Sequence, residues 1–207
     1  MIFNILMAKK NKIAKIYEAL LNRVEKVCNK QEIVLLIKEY NRKFRAKIDI
    51  KEAIKYLSRH NYIKRIFHSF YYINSIDERK RKYCKYGDKE LLFSVLNKLG
   101  IKWYLGLSSA LYESGNSWQV PVKMNIINNK FSGKRNILGV GVRFYKVKEN
   151  LIFAVKRAKT KNSIRYSYSV PPKTYIDMVY LRASKKLVNN KETKKYLKYF
   201  PKWVEKK

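Results

Sequence analysis

The chain has 207 residues and a formal net charge of +33, because 48 Lys and Arg stand against 15 Asp and Glu. Its hydrophobic content of 46% suits one large or two small packed domains and excludes a disordered chain. A cationic excess of this size favours polyanionic partners, namely DNA, RNA or an anionic membrane surface.

No stretch approaches the ~20 consecutive apolar residues of a membrane-spanning helix. The apolar start, residues 1–7, is too short for a signal peptide, and basic residues follow it rather than precede it. Cys28 and Cys84 lie far apart without the spacing of metal ligands, which indicates reduced thiols inside a cell, with a disulfide as the alternative. We therefore expect a cytoplasmic protein without a membrane partner.

The first part of the chain predicts two helices before its central segment. Apolar residues from Ile13 to Val27 follow helical spacing, so residues 11–28 are predicted to form a basic helix, a candidate brace or homodimer contact. Residues 31–42 predict a second helix. The basic segment 43–47 has no clear period and is a candidate for the short middle helix of a helix-turn-helix.

The segment 49–73 is predicted to form a helix and a hairpin, and it contains the candidate binding residues. It begins with an amphipathic helix whose apolar face comprises Ile50, Ala53, Ile54 and Leu57. A basic stripe lies about 150° away from that face, since successive residues turn by roughly 100°. We call Lys51, Lys55 and Arg59 the basic stripe.

β-Branched and aromatic residues then predict strands at 63–67 and 70–73, with a turn at His68-Ser69. A helix followed by a basic hairpin and preceded by another helix is typical of winged helix-turn-helix domains that bind double-stranded DNA. The predicted DNA-binding residues are Lys51, Lys55, Ser58, Arg59, Lys64, Arg65 and His68. The alternative is a solvated helix face on a scaffold whose charge reflects general lysine usage.

Residues 75–87 are dense in charge and predict a basic linker between a first domain, 1–74, and a second domain, 88–207. The second domain is predicted to be α+β with a small, mostly antiparallel sheet. Its predicted helices are 91–99, 108–113, 174–187 and 191–200. Its predicted strands are 120–127, 140–147, 151–155 and 163–170, after a short apolar run at 103–106.

Catalysis by acids or by two metal ions needs clustered carboxylates, and the seven after residue 87 form no recognisable pair. Asp177 follows a predicted strand, but Thr174 three residues earlier favours a capping box over catalysis. His60 and His68 are too few for a metal site, and the glycines form no phosphate-binding loop. We expect a non-enzymatic protein without catalytic residues, cofactor or metal.

A second hypothesis is an RNA-binding or nucleic-acid-processing protein that uses its basic second domain. Tyr166 and Tyr168 would then stack on bases, as single-stranded RNA requires. The simpler interpretation is that these tyrosines form one buried face of a strand.

Three segments resemble AbiEi-type antitoxins. Their C-terminal domain is similar to WYLGLSSALYESGNSWQVPVKMNII from Trp103 and SYSVPPKTYIDMVYL from Ser167, and the end of their winged helix to IKRIFHSFYYIN from Ile63. The resemblance spans roughly residues 31–187. The matching positions are Arg65, His68, Tyr71, Tyr104, Ser109, Ala110, Leu111, Gly115, Pro172, Thr174 and Asp177.

This resemblance implies a type IV toxin–antitoxin regulator. Its winged helix would bind and repress a promoter, and its C-terminal domain would oppose a partner toxin that is a nucleotidyltransferase in the known systems. The sequence departs from the family at the wing, where His68-Ser69 replaces a basic residue followed by glycine. It also adds a basic helix at the start and a strongly cationic second domain.

Overall fold

A computed structural model of the chain describes residues 2–23, 25–186, 188 and 191–207, with side chains described from residue 12 onward within these ranges. The chain divides into two compact units, residues 1–87 and 88–207. Both contain helices and strands, so the predicted α+β class is confirmed. No helix within the described ranges is long and apolar enough to cross a membrane.

The first unit builds its helices against a three-stranded antiparallel sheet. Its strands lie side by side in the order β1 (Val27–Asn29), β3 (Phe70–Ile73) and β2 (Ile63–Arg65). The central strand β3 is buried along its whole length. In chain order the elements are α1 (Ile2–Leu21), β1 (Val27–Asn29), α2 (Lys30–Lys43), α3 (Ile50–Arg59), β2 (Ile63–Arg65), β3 (Phe70–Ile73) and α4 (Ile76–Arg81).

Capping residues set where α2 and α3 begin. Asn29 and Glu32 form a reciprocal capping box at the start of α2, which confirms the helix predicted at 31–42. The side chain of Asp49 accepts the backbone N–H of Glu52 at 2.7 Å and caps α3. α3 buries Ala53, Ile54 and Leu57, as its apolar period predicted.

Two predictions for the first unit are wrong. The helix predicted at 11–28 ends at Leu21, because Val27 and Cys28 enter the sheet and pair with Tyr72 and Tyr71. Within the segment 43–47, Lys43 is the last residue of α2 and residues 44–47 contain no helix. The side chain of Asn41 instead bonds both the N–H and the C=O of Ile48, at 3.0 and 2.9 Å, and so holds the connection between α2 and α3.

The predicted linker 75–87 is part of the first unit and contains α4. Ser75 and Glu78 form a capping box, and Glu78 is only 4% exposed. Its carboxylate accepts hydrogen bonds from the Tyr72 hydroxyl and the backbone N–H groups of Ser75 and Lys85, each at 2.7 Å. The many charged residues of this segment therefore gave no indication in the sequence that the carboxylate of Glu78 is buried.

The second unit is built on a six-stranded sheet. Its strands lie side by side in the order β6 (Gly133–Ile137), β7 (Val140–Lys146), β5 (Met124–Asn128), β4 (Trp103–Leu105), β9 (Arg165–Ser169) and β8 (Val155–Lys159). β4–β9 and β5–β7 are parallel, and the other pairings are antiparallel, as expected for a mostly antiparallel sheet. Its helices and strands are α5 (Asp88–Lys98), β4 (Trp103–Leu105), α6 (Leu107–Glu113), β5 (Met124–Asn128), β6 (Gly133–Ile137), β7 (Val140–Lys146), a 3-10 helix (Glu149–Leu151), β8 (Val155–Lys159), β9 (Arg165–Ser169), α7 (Pro171–Tyr180), α8 (Lys191–Leu197) and α9 (Lys202–Glu205).

α5 ends close to Gly100, whose φ of +64° is the left-handed conformation that glycine commonly adopts just after a helix. The core on one face of the sheet joins Tyr104 and Ile127 to α7, α8 and α9. Gly106 follows β4 at a close approach, where a Cβ atom would lie 2.3 Å from Cδ1 of Ile127. A larger residue at this position would force the buried Ile127 side chain to move.

The predictions for residues 108–113, 140–147 and 163–170 are confirmed, and four others need correction. The strand predicted at 151–155 is wrong, because a 3-10 helix occupies Glu149–Leu151 and β8 begins only at Val155. The strand predicted at 120–127 begins at Met124. The helix predicted at 191–200 is α8, which ends at Leu197.

The helix predicted at 174–187 begins earlier, at Pro171, and ends at Tyr180. Proline is favoured in the first turn of a helix, where its missing N–H has no partner to lose. Thr174 is therefore not an N-cap, and the predicted capping box with Asp177 is wrong. Leu187, the predicted end of the helix, lies outside the described residues.

Candidate nucleic-acid interface

The basic stripe lies on the exposed side of α3. Lys51, Lys55 and Arg59 are exposed, while Ser58 beside them is half-buried. Lys55 Nζ lies 3.8 Å from the Glu52 carboxylate, and both side chains are 57% exposed. A surface pair of this kind contributes only about 0–1 kcal/mol, so Lys55 remains available for another anion.

The β2–β3 hairpin supplies the remaining predicted DNA-binding residues. Lys64 is half-buried and lies opposite Tyr72 on the neighbouring strand, whereas Arg65 and His68 are exposed. Arg65 Nε donates a hydrogen bond to the backbone carbonyl of His68 at 3.1 Å and thereby braces the turn. The structure has the turn at His68-Ser69, as predicted.

His68 has a φ of +50°, the left-handed conformation that glycine adopts at least cost. Its ring packs against Phe67 with centroids 4.1 Å apart. The imidazole therefore sits at the tip of a turn whose backbone the neighbouring strands impose.

Hydrogen bonds connect the end of α3 directly to the start of the hairpin. The backbone N–H of Tyr62 donates to the carbonyl of Leu57 at 2.8 Å, and that of Asn74 donates to the carbonyl of Tyr62 at 3.0 Å. The Asn74 side chain adds a bond to the carbonyl of Asn61 at 2.8 Å. The seven predicted residues thus belong to one continuous, braced helix–hairpin segment.

Sequence reasoning missed Arg79, which braces this segment from α4. Its guanidinium lies 3.6 Å from the ring centroid of Tyr62 and 5.1 Å from that of Tyr17. The Tyr17 hydroxyl donates to the carbonyl of Asn74 at 2.6 Å, and burial raises the pKa of Tyr17. An arginine in a stretch predicted to be a linker gave no signal that it would pack under the hairpin.

A second group of polar residues lies inside the second unit. Lys173 forms a buried ion pair with Asp177, and the Tyr104 hydroxyl donates to the same carboxylate at 2.9 Å. The ammonium group also lies 4.9–5.3 Å from the ring centroids of Tyr104, Phe153 and Phe200.

Burial raises the pKa of Asp177 and lowers that of Lys173, and in each residue the partner's opposite charge counteracts the effect. Lys173 has no exposed surface and Asp177 is 1% exposed. Neither group is exposed enough to meet a substrate, so we assign this cluster to the core of the second unit.

Tyr166, one of the two tyrosines of the RNA-binding hypothesis, is half-buried and packs within the second unit. Its ring lies against Phe93 with centroids 5.1 Å apart, and its hydroxyl donates to Glu113 at 2.8 Å. Burial, together with this hydrogen bond, raises its pKa. The strand therefore turns this tyrosine towards α5 and α6.

Across the described residues, no group of three or more His, Cys, Asp or Glu side chains could hold a metal ion. Cys28 is buried, Cys84 is partly buried, and the two are not joined by a disulfide. No model of a known protein family matches the chain, and no curated protein sequence matches it.

Proposed function

We propose that the protein is a non-enzymatic DNA-binding transcriptional regulator whose first unit acts as a winged helix-turn-helix. The main support is the basic stripe on α3, a helix whose opposite face is buried and whose end is braced to a basic hairpin. In this assignment α2 and α3 form the helix-turn-helix and the β2–β3 hairpin forms the wing.

The chemistry of the exposed residues suits such a complex. α3 would enter the major groove, where Lys55 and Arg59 reach phosphates or the acceptor atoms of guanine. Arg65, His68 and the partly exposed Lys64 would lie against the DNA backbone or the minor groove. Because the wing is bonded to the end of α3, a single docking geometry serves both elements.

The three segments that resemble AbiEi-type antitoxins support a further proposal. The regulator would repress its own promoter and counteract a nucleotidyltransferase-like toxin encoded beside it. Sequencing the adjacent gene tests this role. If that gene does not encode a nucleotidyltransferase-like protein, only the proposal of a transcriptional regulator remains.

The first experiment replaces Lys55 and Arg59 together by Ala. Affinity for the DNA upstream of the gene is expected to fall by about 2 kcal/mol or more, roughly 30-fold, while the melting temperature stays nearly unchanged. Filter binding or fluorescence anisotropy measures the first quantity and circular dichroism the second.

The matched control is Lys38→Ala with Arg42→Ala on α2, which removes the same charge at the same helical spacing from exposed positions. It should leave the ratio between upstream and random-sequence duplex intact. If both double variants lose discrimination equally, or neither does, α3 is not the recognition helix.

A further inference from the structure

The second unit contains an open groove of about 820 Å³ beside the β8–β9 hairpin. Alternation along the strands places Val155, Arg157 and Lys159 of β8 on one face, together with Arg165 and Ser167 of β9. Four cations line the groove: Lys102, Arg157, Lys159 and Arg165. None of the described residues that line it is Asp or Glu.

Three of these cations have no compensating charge among the described residues. Lys159 and Arg165 lie directly opposite each other on the antiparallel ladder, an arrangement that destabilises a sheet. Lys102 pairs with Glu149 at 2.6 Å, but in the described part of the chain Arg157, Lys159 and Arg165 form no salt bridge. The hairpin therefore concentrates positive charge at some cost in stability.

The wall of the groove is fixed by hydrogen bonds. Trp103 Nε1 donates to Asn97 Oδ1 at 3.1 Å, and Asn97 Nδ2 donates to the carbonyl of Arg165 at 2.9 Å. Of the two aromatic residues in the lining, Trp103 is buried, and the half-buried Tyr166 packs against Phe93 and donates its hydroxyl to Glu113. Cations whose neighbouring aromatic rings are already packed suit phosphate groups rather than bases.

We propose that the β8–β9 groove binds the phosphodiester backbone of a nucleic acid without sequence preference. Arg157, Lys159 and Arg165 would each neutralise a phosphate, while Ser167 offers a hydroxyl donor. This site belongs to the second unit alone and does not depend on the role proposed for α3.

The test is the full chain with Arg157, Lys159 and Arg165 changed to Ala, titrated with random-sequence duplex DNA at several salt concentrations. Each phosphate contact contributes about −0.9 to the slope of log K against log salt, so the slope should become shallower by about 2 to 3. Equal slopes for the wild-type and variant proteins with both duplex DNA and single-stranded RNA would overturn the proposal.

The matched control is Arg182→Ala, Lys185→Ala and Lys186→Ala, which removes the same charge from positions outside the groove. Its slope should equal that of the wild-type protein, and an equal change in both triple variants would show an effect of net charge alone. Arg165→Gln, a single neutral change, repeats the measurement if the triple variant melts early.

Two further measurements distinguish binding by the groove from DNA recognition by α3. The groove variant should retain the preference for upstream over random DNA that the Lys55→Ala, Arg59→Ala variant loses. Single-stranded RNA of matched length is titrated in parallel. A change confined to RNA would assign the groove to RNA backbones, and a change confined to duplex would assign it to DNA.

Discussion

Lys173 shows how much one buried side chain can contribute to the second unit. Its ammonium group meets a carboxylate, a phenol and three aromatic rings in a space without solvent exposure. A buried ion pair stabilises little compared with apolar residues of the same shape, but an unpaired buried charge is costly. The consequence can be measured by removing one partner and then both.

Lys173→Met should lower the free energy of unfolding by about 3–5 kcal/mol, because Asp177 is left without its counter-charge. The double variant Lys173→Met with Asp177→Leu should recover most of that loss. Chemical denaturation measures both, and a double variant that stays several kcal/mol less stable than the wild-type protein would mean that the pair is itself a net source of stability.

The sequence could not reveal this cluster for a physical reason. Lys and Asp four residues apart on a helix usually form an exposed pair. Thr174 and Asp177 also have the spacing of a capping box, and only the start of α7 at Pro171 moves them into the body of the helix. The side chains that enclose Lys173 come from Tyr104, Phe153 and Phe200, which no local pattern connects.

At the scale of elements, α4 is held by one carboxylate. Burial by itself raises the pKa of Glu78, but hydrogen bonds from the backbone of Lys85 and Ser75 and from Tyr72 outweigh it and lower the pKa below its ordinary value of 4.5. A carboxyl group with a lowered pKa stabilises the fold when ionised. This contribution is complete above the ordinary value and is lost as the pH falls through the lowered one.

Glu78→Gln should reduce the free energy of unfolding at neutral pH by about 1.5–3 kcal/mol, since several bonds to a charged group are weakened. The difference from the wild-type protein should disappear in acid, below the lowered pKa. Asp77→Asn in the same helical turn is the control, because Asp77 is exposed. A loss that does not change with pH would assign the effect to packing.

Elements with a clear period and a cap were predictable, whereas two edge strands, β1 and β6, were not. α3 has a regular apolar face and Asp49 before it, so both its position and its exposed stripe followed from sequence. β6 has three exposed residues in succession, Lys134 to Asn136, and shows no alternation. β1 was absorbed into a helix because Val27 continues the apolar spacing of α1.

At the scale of the whole molecule, the charge of +33 is spread over both units and makes binding to polyanions depend on salt. If about six cations of the first unit meet phosphates, log K for duplex DNA should fall with log salt at a slope near −5, or more steeply with the groove of the second unit. Anisotropy titrations at several salt concentrations measure this slope. Poly-glutamate is the control competitor. If it competes as well as unlabelled DNA, the interaction depends on charge alone.

The order of strands in the second sheet also affects how the chain folds during its synthesis. β4 lies between β5 and β9, so the centre of this sheet stays incomplete until β9 has left the ribosome. The first unit contains all three strands of its own sheet within residues 1–87 and can finish folding earlier. Chains released before β9 is synthesised would carry an unpaired edge on β4, the kind of edge that promotes aggregation.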